Sequence, residues 1–536
     1  MSDPVERGAG VRSVLEHQAA HLGGRAFLSL PDARLSFGEA DELANRVAAG
    51  LAGLGVGAGD VVMAHCGNGA PLVSTWFACM KLGAVFMPVN GLLSGNPLRK
   101  VMAHAGGAVV VCEASLYPAL AAVRPSLPRL RHVVVAGGEV PRGMQSWEAL
   151  VDAASTRPPP PLADDPAAPA KLMYTSGTTG TPKGVRWSRA CEATWGRAYG
   201  DELLPLEPGE AVFCCLPLTH ATCQGTVLAA LHRGGSAVIE AGFHPYGFWR
   251  RLRQADAVMF SFVGTILSVL ASRPPRPDDA DNPVRRVMGS GAPTLIWPAF
   301  EDRFGCQVVD VWGQTETAAC WTRPRQVPQR PGTIGRPSPR FEARVVAECG
   351  EEAAPGTDGE LWIRPQDCLD MFEGYLGDDG QVVPPWDSDG WYHSGDLVRR
   401  DDDGEYVFAG RRRDAIRRRG EILAPGEIEE AALAYPGVVE VAAVGIPVDG
   451  HIDEEVKLCA VPDDGVDVGA AELHEFLSRR LPKFMVPRYV DIRAELPKTP
   501  TTRVRKYQLA DEGTAGTWDA RTRSVVTPPP DGPQDR

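Results

Sequence analysis

The sequence predicts an α/β protein with a large N-terminal α/β domain and a small α+β C-terminal domain. Its 536 residues exceed what one hydrophobic core supports, so at least two domains are expected. Between about residues 11 and 150, segments with helical spacing alternate with short apolar runs, which is typical of a sheet covered by helices. After residue 412 the pattern becomes that of a compact α+β unit. We therefore expect domains at 1–412 and 413–512.

Individual segments support this organisation. Residues 43–54 have the apolar spacing of an amphipathic helix, and 61–64, 109–111 and 133–135 are short apolar strands. Residues 155–169 contain four consecutive prolines and are expected to form an extended linker. The end of the chain, 513–536, shows no hydrophobic periodicity and is expected to be a disordered tail.

One stretch is typical of a loop that wraps phosphates. The strand-like residues 172–174 lead into a run of Gly, Ser, Thr and Pro that ends at Lys183. Glycines let the backbone approach an anion, hydroxyls donate hydrogen bonds to its oxygens, and Lys183 adds a mobile positive charge. A flexible linker would not be expected to follow a strand and end on Lys-Gly-Val. The candidate phosphate ligands are Thr175, Ser176, Gly177, Thr178, Thr179 and Gly180.

Composition excludes several classes of function. The net charge of −13 disfavours a nucleic-acid-binding protein, because a phosphate backbone needs a basic surface. No run of about 18 apolar residues is present and the first residues lack the apolar core of a signal peptide, so we expect no membrane insertion and a cytoplasmic location. The 12 cysteines include no Cys-x-x-Cys pair and are expected to be reduced core residues.

The stretch 172–185 resembles the signature of the adenylate-forming superfamily, which includes acyl- and aryl-CoA ligases, adenylation domains of peptide synthetases and luciferases. Further segments resemble the family in its own order from about residue 25 to about 510. Among its branches, the carnitine-CoA-ligase-like group is the one that the sequence resembles. The resemblance implies the acyl-adenylate-forming enzyme fold, with ATP, Mg²⁺ and CoA as cofactors and a small-molecule acid as substrate. A homodimer is possible in this family, and the sequence alone leaves the oligomeric state open.

The resemblance also implies roles for residues that would hold the nucleotide. The Gly/Ala turn after 287–290 would lie against adenine, and Trp312 stands where the family usually has Tyr, keeping an aromatic face for stacking. Glu316 would be the carboxylate on the magnesium side, consistent with the one or two protein carboxylates that Mg²⁺ takes beside nucleotide oxygens. Asp396 would accept hydrogen bonds from the ribose hydroxyls. The remaining nucleotide contacts would be Gly291, Ala292, Pro293, Gly313, Thr315 and Arg411.

Other implied roles concern the acid, CoA and the movement of the small domain. His220 would line the acid pocket, although a histidine bonded to a backbone carbonyl is the plainer interpretation. Arg413 would be the hinge, and Gly420 and Glu421 would lie beside CoA. The basic runs around the hinge could also suggest a nucleic-acid patch, which the acidic total disfavours. The usual Asn after Glu421 is Ile422, a departure that concerns the thiol tunnel.

The most informative departure is Arg503, which stands where the family has its catalytic Lys. That Lys bridges the attacking carboxylate and the α-phosphate. Arg503 keeps the charge, but its planar fork is not a geometric copy of an ammonium. Lys498 and Lys506 are possible stand-ins. Catalytic roles are therefore expected for Lys183, Glu316 and Arg503.

The sequence thus predicts an AMP-forming acid–CoA ligase. It would adenylate a carboxylic acid with release of pyrophosphate and then transfer the acyl group to CoA with release of AMP. Two alternatives stay open. The first is a diazotase-like member that activates nitrite for an aromatic amine, and the second is a nucleotide-binding but catalytically inert member.

Overall fold

The computed structural model describes residues 10–163, 165–175, 183–317, 322–323, 328–418, 421–423, 425–447, 454–498 and 504–526. The helices in these ranges are α1 Val11–Leu22, α2 Phe37–Gly53, α3 Ala70–Leu82, α4 Gly95–Ala105, α5 Tyr117–Val123, α6 Trp147–Ala153, α7 Arg189–Ala198, α8 Ala221–Arg233, α9 Phe248–Gln254, α10 Gly264–Ser272, α11 Trp297–Phe304, α12 Pro425–Leu433, α13 Ala470–Ser478 and α14 Lys506–Asp511.

The strands of the N-terminal part are β1 Ala26–Ser29, β2 Arg34–Ser36, β3 Val61–His65, β4 Val85–Pro88, β5 Val109–Glu113, β6 His132–Ala136, β7 Gln145–Ser146, β8 Pro169–Thr175, β9 Lys183–Ser188, β10 Ala211–Cys214, β11 Ser236–Ile239, β12 Ala257–Val263, β13 Arg286–Ser290, β14 Gln307–Asp310, β15 Thr322–Arg323, β16 Arg336–Pro337, β17 Phe341–Val346, β18 Asp358–Pro365, β19 Gly374–Leu376, β20 Val382–Val383, β21 Tyr392–Arg400 and β22 Tyr406–Arg411. Those that follow are β23 Ile416–Arg418, β24 Glu421–Leu423, β25 Val438–Pro447, β26 Glu454–Pro462, β27 Tyr489–Ile492, β28 Trp518–Asp519 and β29 Ser524–Val525.

Two large sheets form the N-terminal part. One has the order β20-β19-β9-β8-β4-β3-β5-β6-β7 and the other the order β14-β13-β12-β10-β11-β1-β2. Strands β10 to β14 pair in parallel, so their carboxyl ends meet on one side of the second sheet. Apolar side chains from both sheets belong to one buried cluster, which includes Phe86 from the first and Phe213 from the second. The predicted α/β fold class is confirmed.

Local sequence signals explain where helices begin. Ser36 precedes α2, and its hydroxyl accepts a hydrogen bond from the backbone N–H of Glu39 at 3.2 Å. The Glu39 carboxylate accepts in return from the backbone N–H of Ser36 at 2.8 Å. This reciprocal pair satisfies two N–H groups that a helix start would otherwise leave without partners. The helix predicted at 43–54 is therefore the second half of a longer one.

A smaller antiparallel sheet, β17-β18-β21-β22, follows the two large sheets. In the pairing of β21 with β22, Asp396 lies directly opposite Arg411. Because opposite residues in a ladder place their side chains on the same face, this register brings a carboxylate and a guanidinium together.

The C-terminal part has its own core and a five-stranded sheet in the order β25-β26-β27-β28-β29. Helices α12 and α13 contribute Ile428 and Leu473 to that core. This arrangement agrees with the predicted small α+β domain. The boundary between residues 412 and 413 stays a prediction.

The prediction of a disordered tail from residue 513 is wrong for 513–526. Strand β28 pairs with β27, and the Asp519 carboxylate accepts hydrogen bonds from Arg488 at 3.0 and 3.2 Å. Two-residue strands carry no hydrophobic period, so the pattern that reveals longer strands is missing here. Residues 527–536 lie outside the described ranges. No helix within the described ranges is long and apolar enough to span a bilayer.

Candidate nucleotide and acid site

The predicted phosphate loop joins the two strands of a hairpin. Strand β8 ends at Thr175 and β9 begins at Lys183, and these two residues are paired across the antiparallel ladder. The hairpin therefore fixes both ends of the loop. The other predicted phosphate ligands, Ser176, Gly177, Thr178, Thr179 and Gly180, lie in 176–182, outside the described residues.

Lys183 and Glu316 meet through Tyr375. The Lys183 Nζ lies 4.7 Å from the centroid of the Tyr375 ring, and the Tyr375 hydroxyl donates to Glu316 Oε1 at 3.0 Å. Burial raises the pKa of Glu316 against the hydrogen bond from Tyr375 and the positive charges of Arg411 and Lys183. A single carboxylate beside a lysine fits the way Mg²⁺ is held when nucleotide oxygens supply most of its ligands.

The Gly/Ala turn after β13 is held by the side chain of Asp310. Its Oδ1 accepts from the backbone N–H of Gly291 at 2.9 Å, and its Oδ2 accepts from that of Ala292 at 3.0 Å. Gly291 has φ +78°, a conformation that favours glycine. Burial raises the pKa of Asp310 to about 7, although the backbone N–H groups oppose the shift. A single carboxylate thus sets the shape of the turn at 291–293.

Asp396, which is 1% exposed, lies among several donors. Its Oδ2 accepts from the Trp312 indole N–H at 2.8 Å and from the Gln314 amide at 2.8 Å. The Arg411 Nε lies 2.8 Å from Asp396 Oδ1. Gln314 in turn accepts a hydrogen bond from the Tyr392 hydroxyl at 2.8 Å. Asp396 and Arg411, the predicted ribose-side residues, thus share one group of polar contacts with Trp312, Gln314 and Tyr392.

The segment 312–316 is also fixed from behind. The Trp187 indole N–H, on β9, donates to the backbone carbonyl of Thr315 at 2.9 Å. The hairpin that carries the phosphate loop is thereby tied to the segment with Trp312, Gly313 and Glu316. The structure brings the described parts of the predicted nucleotide site together.

His220 lies in the turn between β10 and α8. Its backbone N–H donates to Pro217 O at 2.9 Å, and its carbonyl accepts from the Gln224 N–H at 3.2 Å. The turn is anchored to the other large sheet by Asn68, whose side chain accepts from the Leu218 N–H at 2.7 Å and donates to the carbonyls of Leu216 and Glu240 at 2.9 and 2.7 Å. The acid-pocket role of His220 stays a prediction.

The small-domain predictions fall largely outside the described residues. Arg503 and Gly420 lie outside the described ranges, as do the side chains of Arg413 and Glu421. The two stand-ins for the family lysine are described, and each is paired within the small domain. Lys498 Nζ lies 3.0 Å from Glu440, and Lys506 Nζ lies 2.6 Å from Glu429.

Four residues that the sequence analysis left without a role join these groups: Tyr375, Gln314, Asp310 and Trp187. Gln314 and Asp310 were within motifs that predicted roles only for their neighbours. A polar residue inside an otherwise matching motif was the available signal.

Comparisons with known proteins identify the family of this chain. The family model described as AMP-binding enzyme matches residues 15–376, and the AMP-binding enzyme C-terminal domain matches 427–503. A sulfoacetate–CoA ligase of Cupriavidus necator is 33% identical, over 92% of this chain and 96% of its own length. An indoleacetate–CoA ligase of Aromatoleum aromaticum is 28% identical over 94% and 96%, and a crotonobetaine/carnitine–CoA ligase of Escherichia coli is 27% identical over 89% and 93%.

Solved structures share the fold. An anthranilate–CoA ligase in complex with anthranoyl-AMP superposes with a TM-score of 0.86 at 23% identity, covering 94% of this chain and 97% of the other. A benzoate–CoA ligase of Burkholderia xenovorans superposes with a TM-score of 0.82 at 23% identity, over 94% and 99%. The predicted fold and the predicted acid–CoA ligase class, with its cofactors ATP, Mg²⁺ and CoA, are thereby confirmed. The chain belongs to the AMP-binding enzyme family.

Proposed function

We propose that this protein adenylates a small carboxylic acid with MgATP, releasing pyrophosphate, and then transfers the acyl group to CoA, releasing AMP. The observation that carries the proposal is the meeting of Lys183 with Glu316 through Tyr375, beside the Asp396 group. The residues proposed as phosphate, metal and ribose partners are thus neighbours in one site. Positioning and electrostatic stabilisation at the α-phosphate would supply most of the rate enhancement.

Each residue is assigned a part in the first step. Lys183 balances charge on the phosphates, Glu316 holds Mg²⁺, and Asp396 accepts from the ribose hydroxyls. Adenine lies between the turn at 291–293 and Trp312, and His220 lines the acid pocket. Mg²⁺ supplies charge neutralisation on the phosphate oxygens when it is bound.

The choice of acids to test follows the relatives. They are named for sulfoacetate, indoleacetate and crotonobetaine or carnitine, which share a carboxylate joined to a short carbon chain but differ in the rest. We propose that this protein also takes a short acid bearing a further functional group.

The test is pyrophosphate release with ATP and Mg²⁺ across a panel of these acids, followed by thioester formation on addition of CoA. Nitrite with an aminobenzoate is one further condition of the screen. We expect one or more acids to give both products, and Lys183→Ala to remove pyrophosphate release with each of them. Pyrophosphate release in the nitrite condition and with none of the acids would instead favour the diazotase-like alternative. ATP binding without pyrophosphate release in any condition would favour the inert one.

Arg503 is proposed to do the work of the family lysine. Arg503→Ala should slow pyrophosphate release about 10²–10³-fold, the typical effect of losing one donor to transition-state charge. Thioester formation from a supplied acyl adenylate should change little, because we propose that the small domain has by then rotated about Arg413. Normal pyrophosphate release by the variant would remove Arg503 from the reaction.

We also propose a cytoplasmic location, a homodimer and passage of CoA beside Gly420 and Glu421. The location is supported by the described cysteines, all of which are free, as expected in a reducing compartment. The homodimer rests on the family resemblance alone, and sedimentation of the purified protein would test it.

The proposed passage of CoA is tested by Gly420→Leu, which should raise the KM for CoA and leave pyrophosphate release unchanged.

A further inference from the structure

A lysine is buried behind the candidate site, in the strand that leads to the phosphate loop. Lys171 lies in β8, four residues before Thr175, and its side chain is 0% exposed. Lysine is almost never fully buried unless it is paired. Its position inside an otherwise apolar strand therefore needs an explanation.

The Lys171 ammonium lies among three indole rings and two polar side chains. Its Nζ is 4.6 Å from the ring centroid of Trp76 and 5.1 Å from those of Trp187 and Trp195. Burial lowers the pKa of Lys171, and the carboxylate of Glu192, 2.5 Å away, opposes the shift. The ammonium also donates to Gln224 Oε1 at 2.6 Å. The charge is thus paired and enclosed.

Stability alone is a weak reason for such an arrangement. Replacing a buried ion pair by apolar residues of similar volume is often neutral or stabilising, because removing two charges from water is costly. This pair is distinguished by a neighbouring side chain, Gln224, which contacts both Lys171 and the turn that contains His220. Gln224, held by Lys171, uses its amide N–H to donate to the backbone carbonyl of Leu218 at 2.7 Å. Leu218 lies two residues before His220.

The same amide cannot easily turn away. Gln224 lies in α8, is 1% exposed and has its carbonyl engaged by Lys171. An amide whose oxygen is fixed by an ammonium must present its nitrogen to the other side, which selects one of its two flipped orientations. The ammonium therefore decides that the amide group facing Leu218 is a donor.

We propose that Lys171 is a positioning residue that sets, through Gln224, the turn 218–220 at the acid pocket. The proposal rests on the proposed function, in which this turn lines the acid. Loss of the ammonium leaves the Gln224 carbonyl without its buried donor, so the amide is no longer held where its N–H reaches the Leu218 carbonyl. The turn then shifts, and acid binding weakens more than ATP binding.

The chain offers a matched control. Lys81, in α3, is also 0% exposed and pairs with Glu16 at 3.1 Å and Asp41 at 2.7 Å. None of these contacts leads to the turn at 218–220. An effect on acid binding that came only from losing a buried lysine should therefore appear in Lys81→Met as well as in Lys171→Met.

The experiment compares Lys171→Met, Gln224→Leu, their double variant and Lys81→Met, with the panel acid that gives the fastest pyrophosphate release. We expect the KM for the acid to rise about tenfold in each of the first two variants and the KM for ATP to stay within about threefold, since a misplacement of about 1 Å caused far from the reacting atoms is already costly. The double variant should be no worse than either single one, because both break the same chain of contacts. Gln224→Leu keeps the Lys171 and Glu192 pair and covers the case in which Lys171→Met does not fold.

A readout without turnover separates this inference from the proposed function. Hydrogen exchange of the backbone N–H groups of 218–224 should be faster in Lys171→Met and Gln224→Leu than in the wild type, and unchanged in Lys81→Met. If no acid gave pyrophosphate release, the proposed function would be wrong, and hydrogen exchange alone would decide the inference. An unchanged acid KM with unchanged exchange, or equal effects of Lys81→Met and Lys171→Met, would overturn it.

Discussion

At the scale of single residues, the carboxylate of Asp396 connects several segments of the chain. Trp312, Gln314 and Arg411 each approach it within 2.8 Å. Hydrogen bonds to an ionised acceptor are stronger than neutral ones, and they hold the carboxylate in one orientation. The Trp312 indole thus has two parts in the proposed site: its face for adenine and its N–H for Asp396.

Trp312→Phe separates these two parts, because Phe keeps an aromatic face and lacks the N–H donor. We expect the free energy of ATP binding to weaken by about 1 kcal/mol, or roughly fivefold in Kd, because the Asp396 carboxylate loses one donor and keeps its other donors. Titration calorimetry with ATP and Mg²⁺ measures it. Wild-type affinity in the Phe variant would mean that the indole N–H does not help to orient Asp396.

Asp310 predicts a pH dependence of nucleotide binding. Its pKa is about 7, and only the ionised carboxylate can accept from both Gly291 and Ala292 N–H groups. ATP affinity should therefore fall as the pH is lowered from 8 to about 6, while the side chain takes up a proton. In Asp310→Asn the affinity should be low throughout, because an amide oxygen can satisfy only part of the pair. ATP itself titrates in this range, so the comparison of the two proteins, measured by the same calorimetry, decides the outcome.

At the residue scale, motifs in the sequence predicted which side chains would lie together, and the roles of these side chains stay predictions. Lys183, Glu316 and Asp396 were each placed in a motif, and the structure brings them into one site. Lys171 could not be found in this way. Its partners Glu192 and Gln224 are distant in sequence, and only the packing of β8 against α7 and α8 makes them neighbours.

At the scale of helices and strands, the burial and the length of an element decided whether its bounds could be predicted from the sequence. The apolar runs predicted as strands at 61–64, 109–111 and 133–135 lie within β3, β5 and β6. A further apolar run extends from residue 211 to 218, but β10 ends at Cys214 and the rest forms the turn held by Asn68. Alternating or continuous apolar residues report burial, and a buried turn carries the same signal as a buried strand.

The added hairpin β28–β29 yields a test at this scale. Asp519→Ala should lower the free energy of unfolding of the small domain by about 2 kcal/mol, because Arg488 loses its two hydrogen bonds in a partly buried place. Asp464→Ala, at an exposed carboxylate, is the matched control and should change stability little. Hydrogen exchange of the backbone N–H groups of 516–526 during urea unfolding reports on this region. Equal stability of both variants would show that the hairpin contributes nothing to the domain.

At the scale of the whole molecule, two buried histidines link stability to pH. His65 and His232 are 0% and 4% exposed, and burial lowers the pKa of each to about 4. Glu113 opposes the shift of His65, whereas Arg197 adds to that of His232. Both side chains are therefore neutral in the folded protein at neutral pH.

The sign of the effect follows from proton uptake. The unfolded chain binds a proton at each histidine below a pH of about 6.5, and the folded protein does so only near 4. The stability that these residues contribute is fully present above about 6.5 and is lost as the pH falls towards 4. At pH 5 each histidine should have lowered the free energy of unfolding by about 2 kcal/mol relative to neutral pH. Urea unfolding at pH 7 and pH 5 measures the change in stability, and it should be about 2 kcal/mol less unfavourable in His232→Gln than in the wild type, because one histidine no longer titrates while other groups, such as Asp310, titrate alike in both proteins. An identical pH dependence in that variant would contradict the assignment.

The anchoring of the acid-side turn by residues outside it bears on how the substrate range of this protein could be re-engineered. Residues 216–220 take their shape from Asn68 on one side and from Gln224, backed by Lys171, on the other. Transplanting only the turn from a relative with a different acid would leave a foreign loop on native supports. A chimera is better built by exchanging positions 68, 171 and 224 along with the turn, so that the loop and its scaffold are inherited as one block.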